Sequence, residues 1–161
     1  MIIIKKIPII LLIYLGFASL YIFIFGTASL FSTKKKISST SENRKYAVLI
    51  PGYKEDNVII EVAKDALNQD YPSNMYDVVV IADSFKEETL DTLRSLPIEV
   101  IEVSFELSTK SKALNVAMAQ LPDKYDVAVV LDADNLMEPS FLTKINAAFD
   151  NDFIAVQGHR V

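Results

Sequence analysis

From residue 46 almost to the end of the chain, short aliphatic runs alternate with stretches of helical periodicity. This alternation narrows the available folds more than any other feature. Tyr46-Ala-Val-Leu-Ile50, closed by Pro51-Gly52, predicts a strand leading into a loop. From Asp56, Val58, Ile59, Val62, Ala66 and Leu67 recur at helical spacing until Tyr71-Pro72 stops the helix. Asp77-Val-Val-Val-Ile-Ala82 predicts a second strand ending at Asp83-Ser84, and a helix follows from about Glu87 with Leu90, Leu93 and Leu96 inward. Residues 98–103 alternate apolar side chains with Glu99 and Glu102, the pattern of a strand with one more exposed face. A helix over 112–121 carries a stripe of Ala113, Leu114, Ala117, Met118 and Leu121. Then come the strand Val127-Ala-Val-Val-Leu131 and a helix that opens on Pro139, with Phe141, Leu142, Ile145, Ala148 and Phe149 on one face. Phe153-Ile-Ala-Val156 predicts a fifth strand. Such regular exchange of strand and helix specifies an α/β domain, with a mostly parallel sheet covered by helices on both faces.

The preceding residues obey a different rule. Residues 7–31 are 25 positions without a formal charge, dense in Ile, Leu, Phe and Tyr. About 20 apolar residues span a bilayer core, so residues 1–31 read as one transmembrane anchor. A cleaved signal peptide would carry an apolar region of about 7–15 residues, and the run here is longer and bulkier despite the small residues Gly26-Thr27-Ala28. Lys5 and Lys6 precede the span, while Lys34, Lys35, Lys36, Arg44 and Lys45 follow it. The positive-inside rule therefore predicts a single-pass protein of the cell membrane with its C-terminal domain in the cytoplasm. The absence of cysteine agrees with a reducing compartment. Residues 32–45 read as a basic, polar linker whose cations can rest on anionic head groups.

Residues 46–161 then hold nine basic and twenty acidic side chains, a net charge of −11. That balance argues against nucleic acid as a partner, and any phosphate ligand needs local help from a metal, a lysine or a helix N-terminus. The strand 127–131 runs directly into Asp132-Ala133-Asp134-Asn135. Ligands of open α/β sheets bind at the carboxyl ends of strands. Two carboxylates one residue apart repel each other, so a cation should compensate them. A hard divalent ion fits, because Mg²⁺ commonly takes one or two carboxylates together with substrate phosphates. A solvated turn capped by Asp134 or Asn135 is the alternative from the residues alone.

The order of these loops resembles the family 2 glycosyltransferases, membrane-associated members in particular. The matching segments are Val48-Leu-Ile-Pro-Gly-Tyr-Lys-Glu55, Ala66-Leu-Asn-Gln-Asp-Tyr-Pro72 and Val80-Ile-Ala-Asp-Ser84 with Thr89. Lys110-Ser-Lys-Ala-Leu-Asn115, Leu131-Asp-Ala-Asp-Asn135 and Val156-Gln-Gly158 complete the series. The resemblance covers residues 46–161. It implies a Rossmann-like glycosyltransferase A fold, a nucleotide-sugar donor, UDP-linked by the match at Asp83, and Mg²⁺ or Mn²⁺ as cofactor. It implies further that Pro51, Tyr53 and Glu55, in the first loop, lie beside the nucleoside base. Asp83 matches the acid that accepts a hydrogen bond from uracil, and Lys110 a cation near the ribose or phosphates. Asp132 matches the acid facing the ribose, and Asp134 the metal ligand. Lys54 and Ala82 depart from the family pattern, which more often has Asn and Asp at these places.

The implied reaction is sugar transfer to a glycan or lipid-linked acceptor. Relatives continue into an acceptor-binding half that carries the general base, so no catalytic base is assigned up to Val161. Residues 46–161 are expected to be the donor-binding part, either a fragment of a longer enzyme or a truncated product that binds donor without transferring sugar. Three functions compete, two of them enzymes: the glycosyltransferase, a haloacid dehalogenase-type phosphatase using Asp132 as nucleophile, and, from another class, a non-catalytic nucleotide-sugar-binding module tethered to the membrane. The phosphatase motif belongs on a first core strand, whereas here it follows three strand–helix units. Simpler roles also exist for single residues. Glu55 and Asp56 can cap the first helix, Lys110 and Lys112 can be solvated, Asn115 can border the core, and His159 can face solvent.

Overall fold

The computed structural model describes residues 2–30, 42–151 and 153–158. Its chain divides into two units, Met1–Lys36 and Ile37–Val161. In the first, α1 (Ile2–Leu30) is a helix of 29 residues. Its stretch Pro8–Ala28 has a mean hydropathy of 2.4 and is long and apolar enough to cross a membrane. Thr27 Oγ1 donates to the carbonyls of Phe23 and Ile24 at 2.8 and 3.0 Å, so this hydroxyl finds its acceptors within the helix.

The second unit holds β1 (Tyr46–Tyr53), α2 (Ile59–Ala66), β2 (Tyr76–Asp83), α3 (Glu87–Arg94), β3 (Glu99–Val103), α4 (Lys110–Gln120), β4 (Val127–Val130) and α5 (Phe141–Phe149). The strands form one parallel sheet in the order β3-β2-β1-β4. Because every strand runs the same way, their carboxyl ends gather on one edge. Tyr53 pairs with Asp83 there, and Asp83 pairs with Val103. The Leu131 amide extends the fourth strand by bonding to the Leu49 carbonyl at 2.9 Å.

Strand alternation sorts the side chains into two cores. Tyr46, Val48, Ile50, Val78 and Val80 face α2, α3 and α5, meeting Ile59, Val62, Leu90, Leu93, Leu142 and Ile145. Ala47, Leu49, Val79, Ile81 and Ile101 face α4 through Ala113 and Ala117. The near-continuous apolar character of β1 and β2 follows from burial on both faces.

Four sequence expectations are corrected. Phe153-Ile-Ala-Val156 is not a strand: these residues have no ladder partner among the described residues and their side chains are exposed. An apolar, β-favouring composition cannot supply the neighbouring backbone that a strand requires. Pro51 and Tyr53 lie in the last turn of β1 rather than in a loop. The ladder to β4 ends at Leu49, so beyond it, among the described residues, β1 pairs only with β2 and its other side is an edge where proline is tolerated. Met118 is 56% exposed, because α4 approaches the sheet through its two alanines. Pro139 precedes α5 instead of opening it, and its carbonyl accepts from the Asp70 amide at 2.7 Å. His159 lies outside the described residues.

Candidate functional site

At the carboxyl edge, the ends of β1 and β2 and the start of α4 enclose a shallow, open cleft of about 90 Å³. Its lining includes Pro51, Gly52, Tyr53, Asp83, Ser108 and Lys110. Four of the residues singled out by sequence, Pro51, Tyr53, Asp83 and Lys110, are thus brought together. Glu55 is not among the lining residues: it is exposed beyond the strand end, where its carbonyl accepts from the Val58 and Ile59 amides at 3.2 and 3.1 Å.

Asp83 is only 1% exposed although it is a carboxylate. A buried carboxylate needs hydrogen-bond donors. Ser84 Oγ donates to Asp83 Oδ1 at 2.9 Å, and Ser108 Oγ donates to Asp83 Oδ2. Each carboxylate oxygen has a second lone pair, so a ligand N–H can be accepted beside the serines. Ser108 was missed by sequence reasoning; it sits in a loop 25 residues from Asp83, and no local pattern marks it.

On the far side of the cleft α4 begins. Thr109 caps it, its hydroxyl accepting from the Lys112 amide at 3.3 Å. Lys110, the first helical residue, donates its ammonium to Asp132 Oδ1. The compensating cation expected for the acidic tip is therefore present in the protein. Both partners are about half exposed, with side-chain values of 48% and 51%, so water screens the pair and its stabilising effect is small. The tip itself is a tight turn in which the Asn135 amide donates to the Asp132 carbonyl at 3.0 Å. Asp134 is exposed on that turn. Among the described residues no group of three His, Cys, Asp or Glu side chains forms a cage for a metal ion. Two exposed carboxylates one residue apart still fit a hard cation that completes its coordination with phosphate oxygens and water.

Asp56 does not cap α2, whose preceding residue Val58 makes no side-chain cap. It reaches instead to the next helix, accepting from the Lys86 amide at 2.9 Å and from Thr89 Oγ1 at 2.6 Å. The Thr89 hydroxyl, with the Lys86 amide second, holds the Asp56 carboxyl below its ordinary range. Behind the acidic tip, Asp65 Oδ2 accepts from the Met137 amide at 2.6 Å and Gln69 Oε1 from the Leu142 amide at 3.3 Å. Those contacts, from α2 and the loop after it, fix the course of the loop that follows Asp134. Lys112 turns away, donating to the Leu107 carbonyl at 2.8 Å, and Asn115 is exposed.

A parallel α/β sheet with a charged cleft at its carboxyl edge, between a buried acid and a Lys–Asp pair, has the architecture of the glycosyltransferase A class. The chain belongs to the glycosyltransferase like family 2, whose model matches residues 43–160. Poly(ribitol-phosphate) beta-N-acetylglucosaminyltransferase TarS of Staphylococcus aureus is 24% identical over 110 residues, which is 66% of this chain and 19% of TarS. The probable glycosyltransferase YdaM of Bacillus subtilis is 30% identical over 101 residues, 58% of this chain and 24% of YdaM. Among solved structures, the mannosyltransferase PcManGT from Pyrobaculum calidifontis, in complex with GDP-Man and Mn²⁺, matches 82% of this chain and 39% of its own, with a TM-score of 0.62 and 23% identity. S. aureus TarS 1-349 in complex with UDP matches 66% of this chain and 32% of its own, with a TM-score of 0.54 and 26% identity. The chain spans about a fifth to a quarter of the length of these curated relatives. The family match leaves the phosphatase alternative without support.

Proposed function

We propose that residues 46–161 form the donor-binding part of a membrane-anchored glycosyltransferase that takes a sugar from a nucleoside diphosphate, UDP, to a glycan or lipid-linked acceptor. The observation that carries this reading is the pairing of a buried acceptor, Asp83, with the Lys110–Asp132 pair across one cleft at the carboxyl edge. The binding of UDP by TarS, a relative of the same family, supports the choice of base.

In this reading Pro51 and Tyr53 flank the base, with Glu55 further out, and Asp83 accepts the uracil N–H. Asp132 meets the ribose. Lys110 exchanges its carboxylate partner for the diphosphate, a suitable anion for a lysine point charge at a helix start. Asp134 holds Mg²⁺ or Mn²⁺, which when bound supplies Lewis-acid stabilisation of the departing diphosphate. α1 serves as the anchor, and the cations that follow it keep the domain cytoplasmic.

Calorimetric titration of the full chain in detergent, with UDP and Mn²⁺, should show binding that a chelator weakens strongly. Equal affinity with and without the metal would remove the role given to Asp134, and no nucleotide binding at all would overturn the reading. Protease added to intact cells should spare a C-terminal tag; a digested tag would reverse the topology.

A further inference from the structure

The segment Ala66-Leu-Asn-Gln-Asp-Tyr-Pro72 lines no part of the cleft, and the donor reading gives it no role. In the fold it grips the loop between the acidic tip and α5. Gln69 Oε1 accepts from the Leu142 amide at 3.3 Å, and the Asp70 amide donates to the Pro139 carbonyl at 2.7 Å. The Asp70 carbonyl accepts from Thr143 Oγ1 at 2.6 Å. Just before the segment, in the last turn of α2, Asp65 Oδ2 accepts from the Met137 amide at 2.6 Å. A carboxylate receiving an amide N–H makes a short bond, stronger than one between neutral partners. The tip is an arch between two anchors: Ala133 and Met137 are buried in the core that the sheet shares with α2, whereas Asp132, Asp134 and Leu136 are exposed. Met137 is held twice, by its side chain in that core and by its amide on Asp65.

We infer that Asp65 is a positioning residue that sets the acidic tip from behind, so that Asp134 meets the cation in place. This rests on the metal role given to Asp134 above and deepens it. The tip is gripped from both faces of the sheet, by Lys110 of α4 on one side and by Asp65 of α2 on the other. The two grips differ in permanence. Lys110 and Asp132 are half exposed, and in the donor reading the lysine leaves its partner for the diphosphate. The contact from Asp65 has no such competitor, so it keeps the arch in register while the other is exchanged. A small hard cation demands near-ideal placement of its oxygen ligands, and a site of this kind works only if its supports hold them to within about 0.5 Å. Gln69 extends the same grip to the start of α5, farther from the tip.

The test is titration of the full chain in detergent with UDP, once with Mn²⁺ and once with a chelator, for the native protein, D65A, D65N and Q69A. The ratio of the two affinities is the gain due to metal. D65A should cut that gain about tenfold, the loss typical when a group supporting a metal ligand is removed, while its affinity in chelator stays near the native value. D65N keeps an acceptor oxygen at the same reach and should keep the gain. Q69A should lose a smaller part of it. A lower melting temperature of D65A would accompany any lost hydrogen bond; a purely structural role would not separate the two affinities. An undiminished gain in D65A overturns the inference, as does an equal loss of affinity with and without Mn²⁺. A loss in D65N as large as in D65A also overturns it, for the charge and not the hydrogen bond would then be responsible. If D65A does not fold, Q69A decides, and an unchanged gain there overturns the inference. A native chain whose UDP affinity ignores Mn²⁺ is a different result, for it defeats the metal role of Asp134 itself.

Discussion

At the scale of single residues, the cleft is governed by which charges are already satisfied. Asp83 is buried and receives two serine hydroxyls, so its orientation is set before a ligand arrives. Asp132 is exposed and holds Lys110, an arrangement that a diphosphate can compete for. Asp134, next in the same turn, is the residue for which metal binding and simple turn-capping make opposite forecasts. Asp134→Asn should reduce metal-dependent UDP affinity by about tenfold or more if the carboxylate is a ligand of the cation. Its effect on the melting temperature without metal should be small, since Asn also caps turns and one of two neighbouring anions is removed. Calorimetry with and without Mn²⁺, beside thermal melts, reads both quantities; unchanged affinity would leave Asp134 with a structural role. The expectation of a compensating cation was readable in the sequence from the repulsion within Asp-Ala-Asp. That Lys110 supplies it was not, because 22 residues separate the partners.

At the scale of elements, the helices are tied together by side chains from other helices and loops. Asp56, in the loop before α2, supplies the cap of α3 that Lys86, the residue at that position, does not. Its carboxyl is held below the ordinary range, so its contribution is present above the unfolded value near pH 4 and is lost as the pH falls through the lower folded value. Asp56→Ala should lower the melting temperature at pH 7. That difference should hold down to about pH 5 and shrink below pH 4, as melts across this range would show. A difference independent of pH would mean that the carboxylate charge is not involved. The helices and four of the strands were legible from periodicity, but not all their ends: α2 starts three residues after Asp56 and stops at Ala66, well short of Tyr71-Pro72, and β1 runs on to Tyr53. The cap partnership was not, because sequence spacing reports neighbours along a helix and Asp56 works across 30 residues. The same limit hid Asn146, a buried residue whose side chain accepts from Tyr46 Oη at 3.0 Å and donates to the Glu42 carbonyl at 3.0 Å. By its place on α5 it reads as an ordinary polar position. In the fold it fastens residues 42–46 to that helix, with Arg44 pairing Asp150 at 2.7 Å beside it.

At the scale of the whole molecule, the sheet order β3-β2-β1-β4 carries a consequence for how the fold assembles. The first three strands pair with their neighbours in sequence, each across a single short crossover. β4 must close onto β1 over a loop that contains both other strands, with Tyr46 opposite Val127. Chain entropy penalises the longer closure, and contacts distant in sequence form late. β4 is also the shortest strand and has Val130 48% exposed, so least burial rewards its docking. Pulsed hydrogen exchange during refolding should therefore protect the amides of β1 and β2 before those of β4; simultaneous protection of all four strands would contradict this order. The acidic turn hangs from the strand that arrives last. A folding intermediate would thus possess the Asp83 end of the cleft, with its two serines, before it possesses the Asp132–Asp134 end. On the proposed reading of the cleft, recognition of a base and capture of a cation would come into being at different moments in the life of the chain.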